Sequence, residues 1–250
     1  MAMWVVDTET TGLSPETDRV VEFAAVPIRW ASGVDTTAPG AQVEIDEGAS
    51  SLVYPGVPIP PQASAVHHLI DEDVEGAPVL GRAITQVLGP MWKANQERIF
   101  VAHNARFDRS FLPPLQEGSQ WIDTYRCSLH VWPDAPSHGN QSLRYWHRLP
   151  VPRDLPVHRA LGDAIVTAHL FRRLLEERTI ADLLKLTTKA ALLKTFSIGD
   201  HRGKPWADVP TDFLEWMERK LRERPDAWEP DIKFTLKTEL ARRRASSTTN

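Results

Sequence analysis

The sequence has one cysteine in 250 residues, Cys127. A lone thiol can form no intramolecular disulfide and no cysteine metal cluster. Long apolar runs are missing too. The N-terminal apolar stretch meets Asp7 almost at once, so neither a membrane span nor a signal-peptide pattern is legible, and the expected setting is cytoplasmic with no membrane partner. The third absence is an excess of positive charge: 29 Lys and Arg stand against 33 Asp and Glu, a formal net charge of −4. Bulk positive charge is therefore not what would hold a polyanion. An acidic metal site would itself supply several of those negative charges, so low net charge does not exclude a nucleic-acid substrate. With 42% hydrophobic and 25% charged residues the composition suits a folded globular chain. Its length suits one large domain, or one domain with a small appendage.

What is present is organised around Trp4-Val5-Val6-Asp7-Thr8-Glu9-Thr10-Thr11-Gly12-Leu13. Alternation along a strand puts Asp7 and Glu9 on one face, about 6 to 7 Å apart. Two carboxylates so placed repel each other, and a hard divalent cation between them removes the repulsion. An edge strand with solvated acids is the alternative. The pair, however, stands where an apolar strand ends and a glycine turn begins, the usual place for sites in α/β folds.

Residues 20–30 read as a second strand, antiparallel to the first because the connection is short. Residues 31–49 have the Gly, Thr, Asp and Pro content of an excursion, and residues 51–55 read as the third strand. A short helix over 63–69 carries His67 and His68. A stronger helix begins at Pro78, with Ala83, Ile84, Val87, Leu88, Met91 and Trp92 at helical spacing. Residues 98–102 form the next strand, followed by His103-Asn104-Ala105-Arg106-Phe107-Asp108. Asn104 suits a helix N-cap, and Asp108 then stands in the first turns, where it serves either the helix dipole or a site. Residues 121–124 are a short strand or turn, with Asp123 as a cap; residues 125–132 and 142–148 are helices. Cys127 falls within the apolar rhythm of its helix and reads as core.

The third chemical stretch is His158-Arg159-Ala160-Leu161-Gly162-Asp163, opening a helix that runs to about residue 177. Five residues at 3.6 per turn separate His158 and Asp163 by about 140° on an ideal helix. That places His158 on the lead-in and Asp163 on the helix proper. Asp7, Glu9, Asp108 and Asp163 together would balance two divalent cations, which about 3.5 to 4 Å apart can clamp both oxygens of an in-line displacement at phosphorus. His158 is suited to take a proton from the attacking water.

These three stretches, in this order and spacing, resemble the exonuclease motifs of the DnaQ-like 3′ to 5′ exonucleases of the DEDDh group. The resemblance spans roughly residues 3–178 and implies a ribonuclease H-like fold: a mixed α/β sheet flanked by helices. It implies that Asp7 bridges two Mg²⁺ or Mn²⁺ ions, that Glu9 and Asp163 hold the ion that activates water, that Asp108 supports the other, and that His158 is the general base. It also implies that Thr10, Thr11, Gly12 and Leu13 meet the terminal nucleotide, with Asn104 and Phe107 beside its sugar and base. Core packing is the alternative for Leu13 and Phe107. His67 matches a recurring family histidine near the substrate strand, a place for which His68 is the alternative.

Beyond residue 180 the pattern changes. Residues 195–206 read as a strand, a basic glycine-punctuated turn and a return, followed by a helix with Phe213, Leu214, Trp216 and Met217 and another over about 231–243. The expected organisation is an exonuclease domain over 1–180 and a small α+β module over 190–245. Residues 190–250 carry 12 Lys and Arg against 10 Asp and Glu, a net +2, and the preceding residues carry 17 against 23, a net −6. A mildly basic module could hold a strand's phosphates, or could be an ordinary packing unit. Its residue order resembles the C-terminal region of the exodeoxyribonuclease X group of bacteria, which favours DNA 3′ ends as substrate. The rivals are the same chemistry on RNA, and a polymerase or repair subunit that works mainly by binding a protein partner through the tail.

Overall fold

The computed structural model describes residues 2–89 and 97–247. The chain forms two compact units, residues 1–187 and 188–250.

In the first unit β1 (Ala2–Thr10) pairs antiparallel with β2 (Val20–Trp30). The excursion after β2 contains a three-residue edge strand, β3 (Val43–Ile45), too short to leave a pattern in the sequence, and β4 (Ala49–Leu52) starts slightly earlier than expected. Both pair antiparallel with β2. Two short helices, α1 (Pro61–His67) and α2 (Asp71–Val74), lead to α3 (Leu80–Leu88). On α3 the expected core positions Ala83, Ile84 and Leu88 are buried, while Met91 and Trp92 lie outside the described residues. β5 (Arg98–Ala102) then pairs parallel with β1, and after α4 (Ala105–Phe111) the strand β6 (Ser119–Asp123) pairs parallel with β5. The result is a mixed six-stranded sheet in the order β3-β2-β1-β5-β6, with β4 also on β2. Three helices follow along the chain, α5 (Thr124–Val131), α6 (Asn140–Trp146) and α7 (Ala160–Leu175). The next, α8 (Ile180–Thr188), buries Leu183 in the same core as α7.

Alternation along β1 divides its side chains between two cores. Trp4 and Val6 join α3 and α4, where Trp4, Phe100 and Trp121 stand side by side on three neighbouring strands with ring centroids 5.7 and 5.2 Å apart. Met3 and Val5 join Ile99, Val101 and the apolar face of α7 on the other side. Asp7 and Glu9 continue the Met3 and Val5 face beyond the apolar part of the strand, so α7 is the helix that meets them. Cys127 lies fully buried in the α7 core; burial pushes its thiol up to about 12.

Two local expectations need correction. Asn104 stands at the N-cap position of α4, but its backbone is left-handed (φ 71°) and its side chain does not cap; its N–H instead donates to Asp123 Oδ1 at 3.2 Å. In the second unit residues 195–206 form no strand, only an isolated bridge between Thr195 and Pro205 around a turn, closed by Phe196 N–H donating to the Lys204 carbonyl at 2.7 Å. That stem packs with α9 (Thr211–Glu223) and α10 (Pro230–Ser247), burying Phe196, Trp206, Leu214, Met217, Leu236 and Leu240. Two neighbouring arginines on α10 clamp Glu239: Arg242 Nη2 and Arg243 Nε both donate to Oε1, at 2.6 and 2.7 Å.

Candidate active site

The β1 to β2 register slips between Glu9 and Thr10, so the strand's exit is a bulge rather than a continuation. From there the chain closes over Asp18. Ser14 N–H donates to Asp18 Oδ2 at 2.9 Å, and Thr10 Oγ1 donates to the Gly12 carbonyl at 2.6 Å. A Cβ on Gly12 would stand 2.5 Å from the Asp18 carboxylate, so a larger residue there would have to displace that carboxylate. Thr10 and Thr11 are buried in the loop, whereas Leu13 is 83% exposed. Core packing is thereby ruled out for Leu13. Phe107 differs: it is partly buried on the α3 side, its ring 4.9 Å from Phe111.

One carboxylate oxygen from each of Asp7, Glu9 and Asp163 lies within 4.8 Å of the other two. Asp108 is not in this trio. It approaches from the opposite face of β1, where its Oδ1 accepts from Thr8 Oγ1 at 2.9 Å. Its charge nonetheless reaches Asp7. Burial first, then Asp108, Glu9 and Asp163, hold the Asp7 carboxyl well above the usual carboxylate range. Burial and the charge of Asp163 push Glu9 up to about 8. Burial raises Asp108 to about 7 against the opposing Thr8 hydrogen bond. Asp163 is raised by burial as well, opposed by the donors that hold its two oxygens. Such a set is poorly satisfied by protons and water alone; clustered hard oxygen donors under mutual repulsion fit a divalent cation.

Asp163 sits in the first turn of α7, and its Oδ2 accepts the backbone N–H of His158 at 3.0 Å. His158 lies in the turn before the helix, exposed, with φ 56°. His67 is buried at the end of α1; its Nδ1 accepts from Leu69 N–H at 3.0 Å, and its Nε2 makes no hydrogen bond of ordinary geometry. Burial lowers the pKa of this ring, with the main chain of Thr10 pulling the other way. His68 is exposed as the left-handed C-cap of α1, so His67 is the one that faces inward.

Several further residues shape the site. Glu22 lies opposite Glu9 in the β1 to β2 register and is buried. Arg159 donates to both its oxygens, at 2.9 and 3.0 Å, and Ala160 N–H adds a third bond at 3.1 Å. A single acid inside an otherwise apolar strand was the available signal. Gln141 on α6 donates to Asp163 Oδ1 at 2.6 Å; nothing in its local pattern marks it. Gly162 faces the Pro156 carbonyl so closely that a Cβ there would stand 2.0 Å from the oxygen.

Residues 4–171 match the Exonuclease family of the RNase T type. The chain belongs to this exonuclease family. It is an exonuclease of the DnaQ-like kind, and it shares that family's dependence on divalent metal. The exonuclease is 32% identical over 240 residues to Exodeoxyribonuclease 10 of Escherichia coli K12, covering 93% of this chain and 96% of the relative. That likeness takes in the C-terminal unit, beyond the end of the family match. It is also 30% identical over 182 residues to the DNA polymerase III subunit epsilon of Treponema pallidum, covering 68% of this chain and 75% of the relative. Among solved structures it is similar to Exonuclease X in complex with 5′ overhanging duplex DNA, with a TM-score of 0.57 and 31% identity over 74% of this chain and 99% of that one. Among the described residues no helix of this exonuclease is long and apolar enough to cross a membrane.

Proposed function

We propose that this exonuclease hydrolyses phosphodiester bonds from the 3′ end of DNA, single-stranded or at duplex ends, and releases 5′-mononucleotides in repair or proofreading. The observation that carries this reading is the trio of oxygens from Asp7, Glu9 and Asp163 within 4.8 Å, beside the raised carboxyl of Asp108. When bound, a pair of Mg²⁺ or Mn²⁺ ions would neutralise charge on the phosphate and activate water for in-line displacement. Asp7, Glu9 and Asp163 would hold one ion, and Asp7 with Asp108 would support the second. His158, exposed on its turn, takes the proton of the attacking water at its imidazole. Thr10, Thr11, Gly12 and Leu13 present backbone groups and one exposed apolar side chain to the terminal nucleotide. Asn104 and Phe107 lie beside its sugar and base, and His67 backs the loop at Thr10.

The C-terminal unit is read as a substrate- or partner-holding module over about residues 190–245. Phe213 and Trp216 stand 5.3 Å apart, and Trp228 follows at 6.4 Å from Trp216, a row of rings of the kind on which bases stack. A polymerase or repair partner is the other occupant of this reading.

Release of mononucleotides from 3′-labelled and 5′-labelled single-stranded DNA and RNA, with Mg²⁺, Mn²⁺ or EDTA, tests the activity. Metal-dependent shortening from the 3′ end that is lost in Asp7→Ala is expected, with DNA cleaved faster than RNA. Faster loss of RNA would transfer the assignment to RNA trimming. No cleavage of either polymer by folded protein would end the catalytic reading and leave partner binding.

A further inference from the structure

A closed circuit of hydrogen bonds surrounds the segment that carries His158. Asp163 Oδ2 accepts the His158 N–H at 3.0 Å, and Asp163 Oδ1 accepts Gln141 Nε2 at 2.6 Å. Gln141 Oε1 in turn accepts Arg144 Nη1 at 3.1 Å. Arg144 is buried, and its other arm donates to the carbonyl of Pro152. Residues 152–158 then lead the chain back to His158. The sense of each bond is fixed. A guanidinium can only donate, so the Gln141 oxygen must face Arg144 and its NH₂ must face the carboxylate.

The turn itself is poorly self-supporting. At φ 56° a residue with a side chain sits in a sparsely populated conformation that persists only where the surroundings enforce it. Among the described residues the His158 ring makes no hydrogen bond. Its N–H on Asp163, the seat of Pro156 on Gly162 and the bonds of Arg159 and Ala160 to Glu22 hold the turn to the start of α7.

We propose that Gln141, itself seated by Arg144, is a positioning residue that sets the Asp163 carboxylate and through it the His158 turn. The proposal rests on the reading of Asp163 as a metal ligand and His158 as the base. Without the amide, Asp163 Oδ1 loses its donor, and a carboxylate held at one oxygen instead of two gives the His158 N–H a looser seat. Partners that orient metal ligands in this way change metal affinity or activity by about 10- to 100-fold when removed.

The test uses the full chain with Gln141→Ala and Gln141→Met, the second keeping length and packing while removing the amide. Mn²⁺ serves as the probe, with the free ion counted by its electron paramagnetic resonance signal. Thermal unfolding and steady-state cleavage of a 3′-labelled DNA oligonucleotide are followed alongside. For both variants the expected result is Mn²⁺ binding weakened about 10-fold and kcat lowered about 10-fold, with KM for the oligonucleotide and metal-free thermal unfolding close to wild type. Wild-type Mn²⁺ binding and kcat in Gln141→Met would overturn the proposal by showing that only packing matters there. Asp163→Asn separates the two levels. If it loses Mn²⁺ binding and cleavage while Gln141→Met is unaffected, only the positioning role fails; if it binds and cleaves like wild type, the ligand reading falls and the proposal with it.

Discussion

At the exit of β1 and in the C-terminal unit, carboxylates shielded from water are treated in opposite ways. Glu239 on α10 is gripped by Arg242 and Arg243, and those hydrogen bonds depress its pKa to about 2. Glu218 on α9 receives Arg244 at 2.7 Å and Arg222 at 3.4 Å, and is lowered likewise. Among the described residues no lysine or arginine forms an ion pair with Asp7, Glu9 or Asp108, and all three are raised, Glu9 to about 8 and Asp108 to about 7. The contrast recurs within one strand pair: Glu22, directly opposite Glu9, is fully engaged by Arg159 and Ala160. The fold therefore supplies arginines to Glu239, Glu218 and Glu22 and none in ion-pair contact with the β1 acids among the described residues. These three glutamates carry their counter-charge with them, whereas acids left in mutual repulsion are shaped for a charge that arrives from outside.

Breaking the unpaired set should have the largest effect. Glu9→Gln is expected to lower cleavage by about 10²- to 10³-fold or more, while metal-free thermal stability rises because a neutral amide ends part of the repulsion. Parallel activity assays and melts without metal check this; a variant that is both inactive and less stable would argue that Glu9 serves the fold.

The second effect depends on pH. A carboxyl raised in the folded state binds protons that the unfolded chain has already released, so the metal-free protein should lose stability as pH rises from about 4.5 through 8. Divalent metal competes best once those acids are ionised. Its stabilisation should grow over the same window, to roughly 2.7 kcal/mol at a hundredfold excess over Kd. Melting curves across pH with Mn²⁺ or EDTA measure the difference, and a metal effect independent of pH would contradict the raised acids.

Converting a paired acid into an unpaired one is gentler. Arg159→Met leaves Glu22 with only the Ala160 N–H, at an expected cost of about 1 to 3 kcal/mol, since the Arg159 side chain is itself 37% exposed. Chemical denaturation reports the loss. The smallest change belongs to the paired set in the C-terminal unit. Glu239→Gln should cost about 1 kcal/mol or less at neutral pH. Because its pKa is depressed, the contribution is present above the ordinary glutamate range and disappears as pH falls toward 2; a difference from wild type that persists at pH 2 would show another cause.

Much of this site was legible because it lies where element signals change. Asp7, Asp108 and Asp163 each stand just past an apolar run, at a strand's exit or a helix's first turn, and alternation alone put Asp7 and Glu9 on one face. The polar support was not legible. Gln141 reaches Asp163 across 22 residues of chain, and Asp18 closes the Gly12 loop from beyond a turn, contacts that no local period encodes. Glu22 was legible in principle, as the one acid within a largely buried strand, but only the fold supplies its partner. The edge strand β3 stayed hidden because three residues carry no period. Asn104 misled because a good capping residue is also one that tolerates the left-handed backbone it adopts.

Cys127 bears on how the molecule can be watched at work. A thiol with no exposed surface and a pKa near 12 is inert toward maleimides at neutral pH. To such reagents the native chain behaves as cysteine-free, so Leu13→Cys would introduce a single reactive handle at the mouth of the Gly12 loop. A fluorophore placed there would report arrival and departure of a strand end, one molecule at a time, with no background label to subtract.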